Sequence, residues 1–379
     1  MTMLPYWYLS FFFIVMIFFD VYLRNDEVAH VKYNKQILLY LYILSVIVLI
    51  FFGGIRGAGT GVDDSMYRIT FSEIEQKSVM LSIGDIINQY KYEPITTIVM
   101  MAVSIFTKNA DIFIFAYLLI SVFINSYTYK KYSPLFLISL AVYSSHLYLN
   151  KDLNQIRFGL SSALFVLSMC YLHENKYTKS IIFIVMAALS HQTALAGVVM
   201  YLVRPFVKWK YMPFLIVLIC IPLGFLGGKN IFGWAFGYLP QIVSNYQGTE
   251  FDTEIPLVSV ANIKNVFFVF IFCFFLLDKN GKLSTEQIGL SYILILVYAI
   301  GAGVRMVFHD FSIIGGRVGN LFLHVEPLLI SLLCFRLIKY RFLMVIFIVS
   351  IIMYYFYYNT IANPQSLMGY KVSDTFNIY

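Results

Sequence analysis

Residues 37–55 read ILLYLYILSVIVLIFFGGI, a run of apolar residues without a charged side chain. A helix of this length crosses the hydrocarbon core of a bilayer, which is about 30 Å thick. Similar runs recur along the 379-residue chain, in which 60% of the residues are hydrophobic and 12% are charged. They lie at 4–23, 112–126, 135–149, 158–172, 211–226, 258–277, 290–304, 318–335 and 342–358. The pattern predicts an all-α, polytopic transmembrane helical bundle of about 10 to 12 spans and excludes a water-soluble fold.

Lysines and arginines collect in short segments between the apolar runs, and the positive-inside rule places these segments on the cytoplasmic side. They are 24–35, 130–131, 176–179, 204–210, 279–282 and 336–341. A single membrane domain then covers residues 1–379, with the segments 53–93, 228–262 and 305–317 outside. Orientation in the membrane explains the net charge of +7, so no nucleic-acid partner is predicted.

Two stretches do not fit one crossing each. Between Glu93 and Lys130 the charge rule requires an odd number of crossings, whereas the pattern offers two apolar stretches, which is consistent with one re-entrant segment. Residues 180–203 have basic flanks and are interrupted by His191, which indicates either two half-helices or an ordinary span beside a misassigned loop. The polar C-terminal residues 363–379 are expected to be poorly ordered.

Several arginines fall on the outer side, which the positive-inside rule predicts to be poor in positive charge. They are Arg56, Arg68, Arg157, Arg305 and Arg317. An arginine near an apolar span is costly, and a guanidinium binds phosphate oxygens in a bidentate manner. Several of these side chains in one outer cavity would form a site for a diphosphate. Each arginine taken singly could instead snorkel to the interface or pair with a carboxylate.

Polar residues near these arginines are candidate general bases. Residues 53–61 are rich in glycine, which lets the backbone approach a ligand closely, and Asp63 follows them. Glu93 precedes a proline at the start of a span, where a carboxylate either caps the helix or, when desolvated, accepts a proton. His191 is a third candidate, although a lone histidine inside a membrane more often serves packing. No residue spacing matches a metal site, and no metal or cofactor is predicted.

The order of these residues resembles the EpsG-like branch of the Wzy-type O-antigen polymerases. The matching positions are Arg56, Gly61-Val62-Asp63, Tyr67, Glu93-Pro94, Ile156-Arg157, Ala187-Ala188-Leu189-Ser190-His191 and Arg317. Two positions depart from the family pattern. Phe158 replaces the usual glutamine after the second arginine, a role that Gln155 could take over, and Thr96 stands near the place of a usual phenylalanine.

The resemblance implies a GT-C-like membrane glycosyltransferase of the bacterial inner membrane, with an active site that faces the periplasm. Its implied substrates are two undecaprenyl-diphosphate-linked oligosaccharide repeat units, which are joined in one inverting step. Membrane lipid is a further implied partner. A chain-length regulator protein is a further expected partner. An O-antigen ligase, or a transporter that flips a lipid-linked oligosaccharide, is the alternative function.

The resemblance also implies roles for individual residues. The donor diphosphate would be bound by Arg56, Arg157, Arg305 and Arg317. The general base would be Asp63 or Glu93, with His191 in reserve, while Tyr67 and Gln155 support the site. In segment 228–262, aromatic residues such as Trp234 and Tyr246 either stack on sugar rings or anchor the loop at the interface.

Overall fold

The computed structural model describes residues 2–24, 31–78, 80–90, 92–234, 254–278, 283–362 and 367–376. Within these ranges the regular structure is helical, and strand-like pairing is confined to isolated bridges that involve the C-terminal residues. The prediction of an all-α polytopic bundle is therefore confirmed.

The helices of the first half of the chain are α1 (Leu4–Tyr22), α2 (Val31–Gly54), α3 (Asp64–Lys77), α4 (Ile83–Tyr90), α5 (Pro94–Ser104), α6 (Ala110–Tyr132), α7 (Phe136–Val142), α8 (Ile156–His173) and α9 (Tyr177–Ser190). A π-helix over Tyr143–Asp152 continues α7 directly. Helix α9 ends at Ser190, and a 3-10 helix over Gln192–Val198 begins after His191. This interruption agrees with the two-segment alternative for residues 180–203.

The second half of the chain contains α10 (Val199–Val203), α11 (Met212–Leu226), α12 (Gly228–Phe232), α13 (Val260–Leu276), α14 (Thr285–Val307), α15 (Ser312–Leu323), α16 (Glu326–Arg336) and α17 (Arg341–Tyr357). Ser284 begins α14 with a capping box, in which its side chain and that of Gln287 each accept from the other's backbone N–H. The axes of α15 and α16 are bent by 43° at the break between them.

The described part of the chain has six helices that are long and apolar enough to cross a bilayer. They are α1, the residues Asn34–Gly54 of α2, α6, α8, α14 and the helical stretch Ile338–Ala362 that includes α17. The bent pair α15 and α16 makes a seventh if it is one span. Helices α5, α9, α11 and α13 are apolar but shorter. The count of about 10 to 12 spans requires some of these shorter helices to cross as well, and it stays a prediction.

The stretch between Glu93 and Lys130 contains one helix of spanning length. Helix α5 has 11 residues and is about 16 Å long, too short to cross a bilayer, whereas α6 has 23 residues. Helix α5 packs against α3, α4 and α6. One crossing by α6 would provide the odd number that the charge rule requires, and the short α5 would then be the re-entrant segment, which stays a prediction.

The contacts within the chain divide it into two compact units. The first unit comprises Met1–Leu167, Val185–Gln192 and Leu337–Tyr379. In it, α1 packs against α7 and α17, and α2 packs against α6. Fully buried aromatic side chains, among them Phe13 and Tyr148, fill its core.

The second unit comprises Ser168–Ile184 and Thr193–Arg336. Helix α14 lies at its centre and packs against α11, α13 and α15. A Cβ atom at Gly301 would lie 2.9 Å from the Gly319 carbonyl oxygen, so α14 and α15 approach each other through glycines. Small residues allow such close helix contacts inside a membrane.

The C-terminal residues 367–376 are held by the glycine-rich segment 53–61, which is called the glycine loop below. The Met368 N–H donates to the Thr60 carbonyl oxygen at 3.0 Å, and the Ser373 N–H donates to that of Ile55 at 2.9 Å. The expectation of poor order is wrong for these residues, because they exchange backbone hydrogen bonds with the glycine loop. Residues 363–366 and 377–379, which the same expectation covers, lie outside the described residues.

Candidate functional site

An ion pair between Arg157 and Glu93 lies at the centre of the candidate site in the first unit. Arg157 Nη1 donates to Glu93 Oε2 at 2.5 Å. The guanidinium carbon of Arg157 lies 4.6 Å from the ring centre of Tyr92 and 5.8 Å from that of Tyr67. The side chains of Arg157 and Glu93 are 24% and 15% exposed, so a ligand can reach them. The Arg157 Nε atom is buried and has no hydrogen-bond partner among the described residues.

The local sequence directs Glu93 toward Arg157 rather than toward its own helix. Pro94 occupies the first turn of α5, and Glu93 is extended, with φ −64° and ψ 146°. The Glu93 side chain forms no capping hydrogen bond with α5. Of the two roles considered for this carboxylate, helix capping is therefore absent, and the carboxylate contacts a cation instead.

The glycine loop brings the start of α3 to the start of α8. A Cβ atom at Gly61 would overlap the Leu153 carbonyl oxygen, so this contact requires glycine. The Asp63 N–H donates to Asn154 Oδ1 at 3.1 Å. Asp63 is half-buried and lies one helical turn before Tyr67. The loop thus places α3 beside the polar residues that precede Arg157.

The pKa of Tyr67 depends on the charges in this site. Burial raises the pKa of Tyr67 to about 12, the guanidinium of Arg157 opposes the rise, and the carboxylate of Asp63 adds to it. Asp63, Tyr67 and Arg157 are therefore within electrostatic range of one another. The first unit brings together Asp63, Tyr67, Glu93 and Arg157, which the sequence separates by as many as 94 residues.

Arg56 lies behind the glycine loop. Its side chain is fully buried, and it donates to the Gly53 carbonyl oxygen at 2.7 Å and to Asp64 Oδ1 at 3.0 Å. Arg68 donates to the Arg56 carbonyl oxygen at 3.0 Å and pairs with Asp64 at 3.5 Å and with Asp111. Burial lowers the pKa of Arg68, and the Asp64 carboxylate opposes this shift. In this conformation, Arg56 binds acceptors of its own chain.

Gln155 directly precedes α8, His191 directly follows α9, and both residues belong to the first unit. The buried His191 ring has its centre 5.3 Å from that of Phe158, the residue that replaces the family's glutamine. The His191 N–H donates to the Ala187 carbonyl oxygen at 2.9 Å. Gln155 is half-buried directly before α8. His191 thus packs against the neighbour of Arg157 in the sequence.

Two buried ionisable residues at the end of the π-helix, Lys151 and Asp152, were not among the predicted site residues. Lys151 Nζ donates to Ser162 Oγ at 3.0 Å, and Asp152 accepts from the Tyr143 hydroxyl at 2.8 Å and from the Ser121 hydroxyl. Apolar periodicity placed these residues in a loop after position 149. Their two adjacent opposite charges, just before Asn154, were the available signal, and π-helical segments are frequent at functional sites.

Arg305 and Arg317 belong to the second unit. Arg305 on α14 donates from Nη1 to Asn320 Oδ1 on α15 at 2.7 Å. Gly319 makes room for the Arg305 stem, because a Cβ atom there would overlap Arg305 Cγ. Arg317 is half-buried on α15. The four arginines proposed to bind the diphosphate are thus divided between the two units.

The conspicuous His309-Asp310 pair fixes the segment that follows α11. The two ring nitrogens of His309 lie 3.1 Å from the carbonyl oxygens of Ile255 and Gly224. Asp310 accepts from the backbone N–H groups of Gly228 and Lys229, at 3.1 and 2.9 Å. Of the aromatic residues considered for sugar stacking, Trp234 is exposed, whereas Tyr246 lies outside the described residues.

Comparison with known proteins shows the family to which this chain belongs. The EpsG family matches residues 39–372, a range that includes every candidate site residue named above. The chain is 40% identical over 380 residues to the amylovoran biosynthesis protein AmsC of Erwinia amylovora, and the match covers 99% of each chain. No solved structure matches the chain. From the extent of these two matches, the chain is a member of the EpsG family.

Proposed function

We propose that this protein is a membrane glycosyltransferase that polymerises a surface polysaccharide of the O-antigen type. Its donor would be an undecaprenyl-diphosphate-linked glycan, and its acceptor a second lipid-linked repeat unit on the periplasmic face of the inner membrane. Membership of the EpsG family and a relative named for amylovoran biosynthesis support a role in polysaccharide biosynthesis. The apolar spans would place the protein in the bilayer, where lipid-linked glycans are held.

The Arg157–Glu93 pair is the observation that carries this proposal. A guanidinium is suited to phosphate oxygens, and a carboxylate is suited to accept a proton from a sugar hydroxyl. Because both side chains are partly exposed, a diphosphate can compete with Glu93 for Arg157. Binding of the donor would then release Glu93 from its cation. The general base is freed at the moment when the leaving group is bound.

The proposed reaction is a single displacement. The acceptor hydroxyl oxygen attacks the anomeric carbon of the donor, and its proton moves to the Glu93 carboxylate. The bond between the anomeric carbon and the phosphate oxygen breaks, and the lipid diphosphate leaves with the electron pair. Arg157 stabilises the charge that develops on the leaving group. The configuration at the anomeric carbon is inverted.

The other candidate residues are assigned direct or supporting roles in this proposal. Asp63 is the alternative base, and Tyr67 fills the side of the site against Arg157. The burial of Arg56 favours an indirect role, in which it holds the glycine loop rather than the substrate. Arg305 and Arg317 remain candidate diphosphate ligands because a membrane-embedded cation usually has a ligand or a pathway role. His191 and Gln155 support the start of α8. A chain-length regulator would be a separate protein that binds this one.

A reconstituted assay tests the proposal. Purified protein in detergent is given a synthetic lipid-diphosphate-linked repeat unit, and the products are separated by size. We expect a ladder of longer lipid-linked glycans. The variant Arg157→Lys should lose at least about 100-fold in rate, because an ammonium cannot replace the bidentate guanidinium.

Arg204 offers a matched control for Arg157. It also hydrogen-bonds a polar side chain, that of Asn175, and its guanidinium carbon lies 4.7 Å from the ring centre of Tyr177. The variant Arg204→Lys should keep the wild-type rate. Equal rates in Arg157→Lys and the wild type would contradict the diphosphate role. One transfer to an acceptor without chain growth would indicate a ligase, and movement of lipid between leaflets without a product would indicate a transporter.

A further inference from the structure

The C-terminal residues 367–376, called the C-terminal strap below, run antiparallel to the glycine loop. Bridges join Leu367 to Gly61 and Val372 to Arg56. Besides the two bonds already described, the Gly57 N–H donates to the carbonyl oxygen of Lys371 at 2.7 Å. The strap therefore satisfies backbone groups along most of a loop whose glycines provide little stiffness of their own.

Side chains anchor the strap at its middle. The Tyr370 hydroxyl donates to the Phe52 carbonyl oxygen at 2.6 Å, at the end of α2. The Tyr370 ring centre lies 4.5 Å from that of Phe52 and 5.8 Å from that of Tyr6, on α1. The Tyr370 N–H also donates to the Thr2 carbonyl oxygen at 2.9 Å. Thr2, just before α1, and Tyr370 thus meet beside the glycine loop.

The far end of the strap joins the buried charges behind the site. The hydroxyls of Ser373 and Thr375 both donate to Asp111 Oδ2, while the other oxygen of Asp111 pairs with Arg68. Arg68 in turn holds Asp64 and the carbonyl oxygen of Arg56. One carboxylate therefore connects the strap to the arginines of the glycine loop.

The position of α3 depends on this arrangement. The glycine loop leads directly into α3, which carries Asp63 at its N-cap and Tyr67 in its first turn. Asp63 is fixed at Asn154, and Tyr67 lies beside Arg157. We propose that the C-terminal strap is a positioning element, which sets the glycine loop and the start of α3 relative to Arg157. The effect on reaction rate rests on the proposed function, whereas the effect on the loop does not.

The experiment removes the strap and adds it back. A chain that ends at residue 366 is compared with the full chain in detergent, with and without a synthetic peptide of residues 363–379. Hydrogen–deuterium exchange of the Gly57 amide should become at least about tenfold faster, because its acceptor on the strap, the Lys371 carbonyl oxygen, is lost. The rate of glycan extension should fall about 100-fold through misplacement of the reacting groups. The peptide should reverse both changes, which a general loss of folding would not allow.

A double variant, Ser373→Ala with Thr375→Val, tests the same idea in a chain of full length. It removes both hydroxyl donors to Asp111, and we expect an intermediate loss of rate, about tenfold, with faster loop exchange. Ser104→Ala is the control, because the Ser104 hydroxyl bonds only locally, to the Met101 carbonyl oxygen. Size-exclusion chromatography checks that each variant remains folded.

The outcomes separate the two proposals. If the full chain makes no glycan ladder, the proposed function fails, while the exchange measurement still tests the strap. If the shortened chain and the double variant keep both the exchange and the rate of the full chain, the strap proposal is overturned. Faster exchange with an unchanged or increased rate would overturn it too, since the strap would then not position the reacting groups.

Discussion

Two glutamates stand directly before a proline at the start of a helix, and each pairs with a basic side chain. Glu93 directly precedes α5 in the first unit and accepts from Arg157 at 2.5 Å. Glu326 begins α16 in the second unit and accepts from Lys264 at 2.8 Å. The two pairs share a Glu-Pro dipeptide, but their surroundings differ.

The difference lies in exposure and in the number of donors. Glu326 is 6% exposed in its side chain, and its Oε2 atom accepts from the Tyr298 hydroxyl as well as from Lys264. Glu93 is 15% exposed, and Arg157 is its one ion-pair partner among the described residues. A buried carboxylate with several donors keeps its partners, whereas a partly exposed one can exchange its partner. Glu93 therefore suits chemistry, and Glu326 suits structure.

The largest effect expected from this comparison is on catalysis at Glu93. The variant Glu93→Gln keeps the shape of the side chain but cannot accept a proton. We expect the rate of glycan extension to fall by about 10²- to 10⁴-fold, while the melting temperature changes little. The measurement combines the ladder assay with a thermal unfolding curve in the same detergent.

Asp63→Asn is the companion of that variant, because Asp63 is the alternative base. A loss confined to Asp63→Asn would move the role of base from Glu93 to Asp63. Wild-type rates in both variants would remove the carboxylates from the mechanism altogether.

The second effect is on stability at Glu326. In Glu326→Gln the charge of Lys264 loses its partner, and we expect the protein to lose about 2 kcal/mol of stability. This is less than for a fully buried pair, because Lys264 keeps 22% exposure and water screens its charge. The melting temperature should fall, while the rate per folded molecule stays near that of the wild type.

The double variant Lys264→Met with Glu326→Gln serves as the control, since it leaves no unpaired charge and should recover part of the stability. The comparison would be reversed if Glu326→Gln abolished glycan extension in a protein that melts at the wild-type temperature.

Composition and apolar periodicity were sufficient to predict the fold class, because both are local properties of the chain. For the stretch between Glu93 and Lys130, helix length leaves α6 as the candidate span, since α5 is too short to cross. The pairing of Glu93 with Arg157 was beyond such reasoning, because the two residues are 64 positions apart. Resemblance to a family placed both residues in the site, but it did not say that they touch.

Three further features could not be predicted from the sequence, and each has a physical reason. Arg56 was expected at the substrate, yet its side chain is buried against Asp64, because adjacent carboxylates compete with any ligand for an arginine. The strap was expected to lack order because its composition is polar. Composition does not show that the glycine loop, more than 300 residues earlier in the sequence, forms backbone hydrogen bonds with it. Lys151 and Asp152 were overlooked because a π-helix extends beyond the apolar run that marks it.

The third prediction concerns the ring beneath Arg157. The ring of Tyr92 lies 4.6 Å from the guanidinium carbon and helps to hold it near Glu93. In Tyr92→Leu this cation–π contact is lost, and we expect the rate to fall about fivefold, which corresponds to about 1 kcal/mol. Tyr177→Leu, beneath Arg204, is the matched control and should extend glycans at the wild-type rate. A loss of equal size in the control would show that the effect is not specific to the site.

The smallest expected effect is the pH dependence of stability that Tyr67, beside Arg157, contributes. Burial raises the pKa of Tyr67 to about 12, above the ordinary value near 10. The folded state thus binds this proton more tightly, and the resulting stability is present below about pH 10 and lost as the pH rises toward 12. At about pH 10.5 the loss is below about 1 kcal/mol. Tyr67→Phe should therefore show a smaller drop in melting temperature between pH 8 and 10.5 than the wild type. Parallel curves for the two proteins would place Tyr67 in water and would open the side of Arg157 that the structure shows closed.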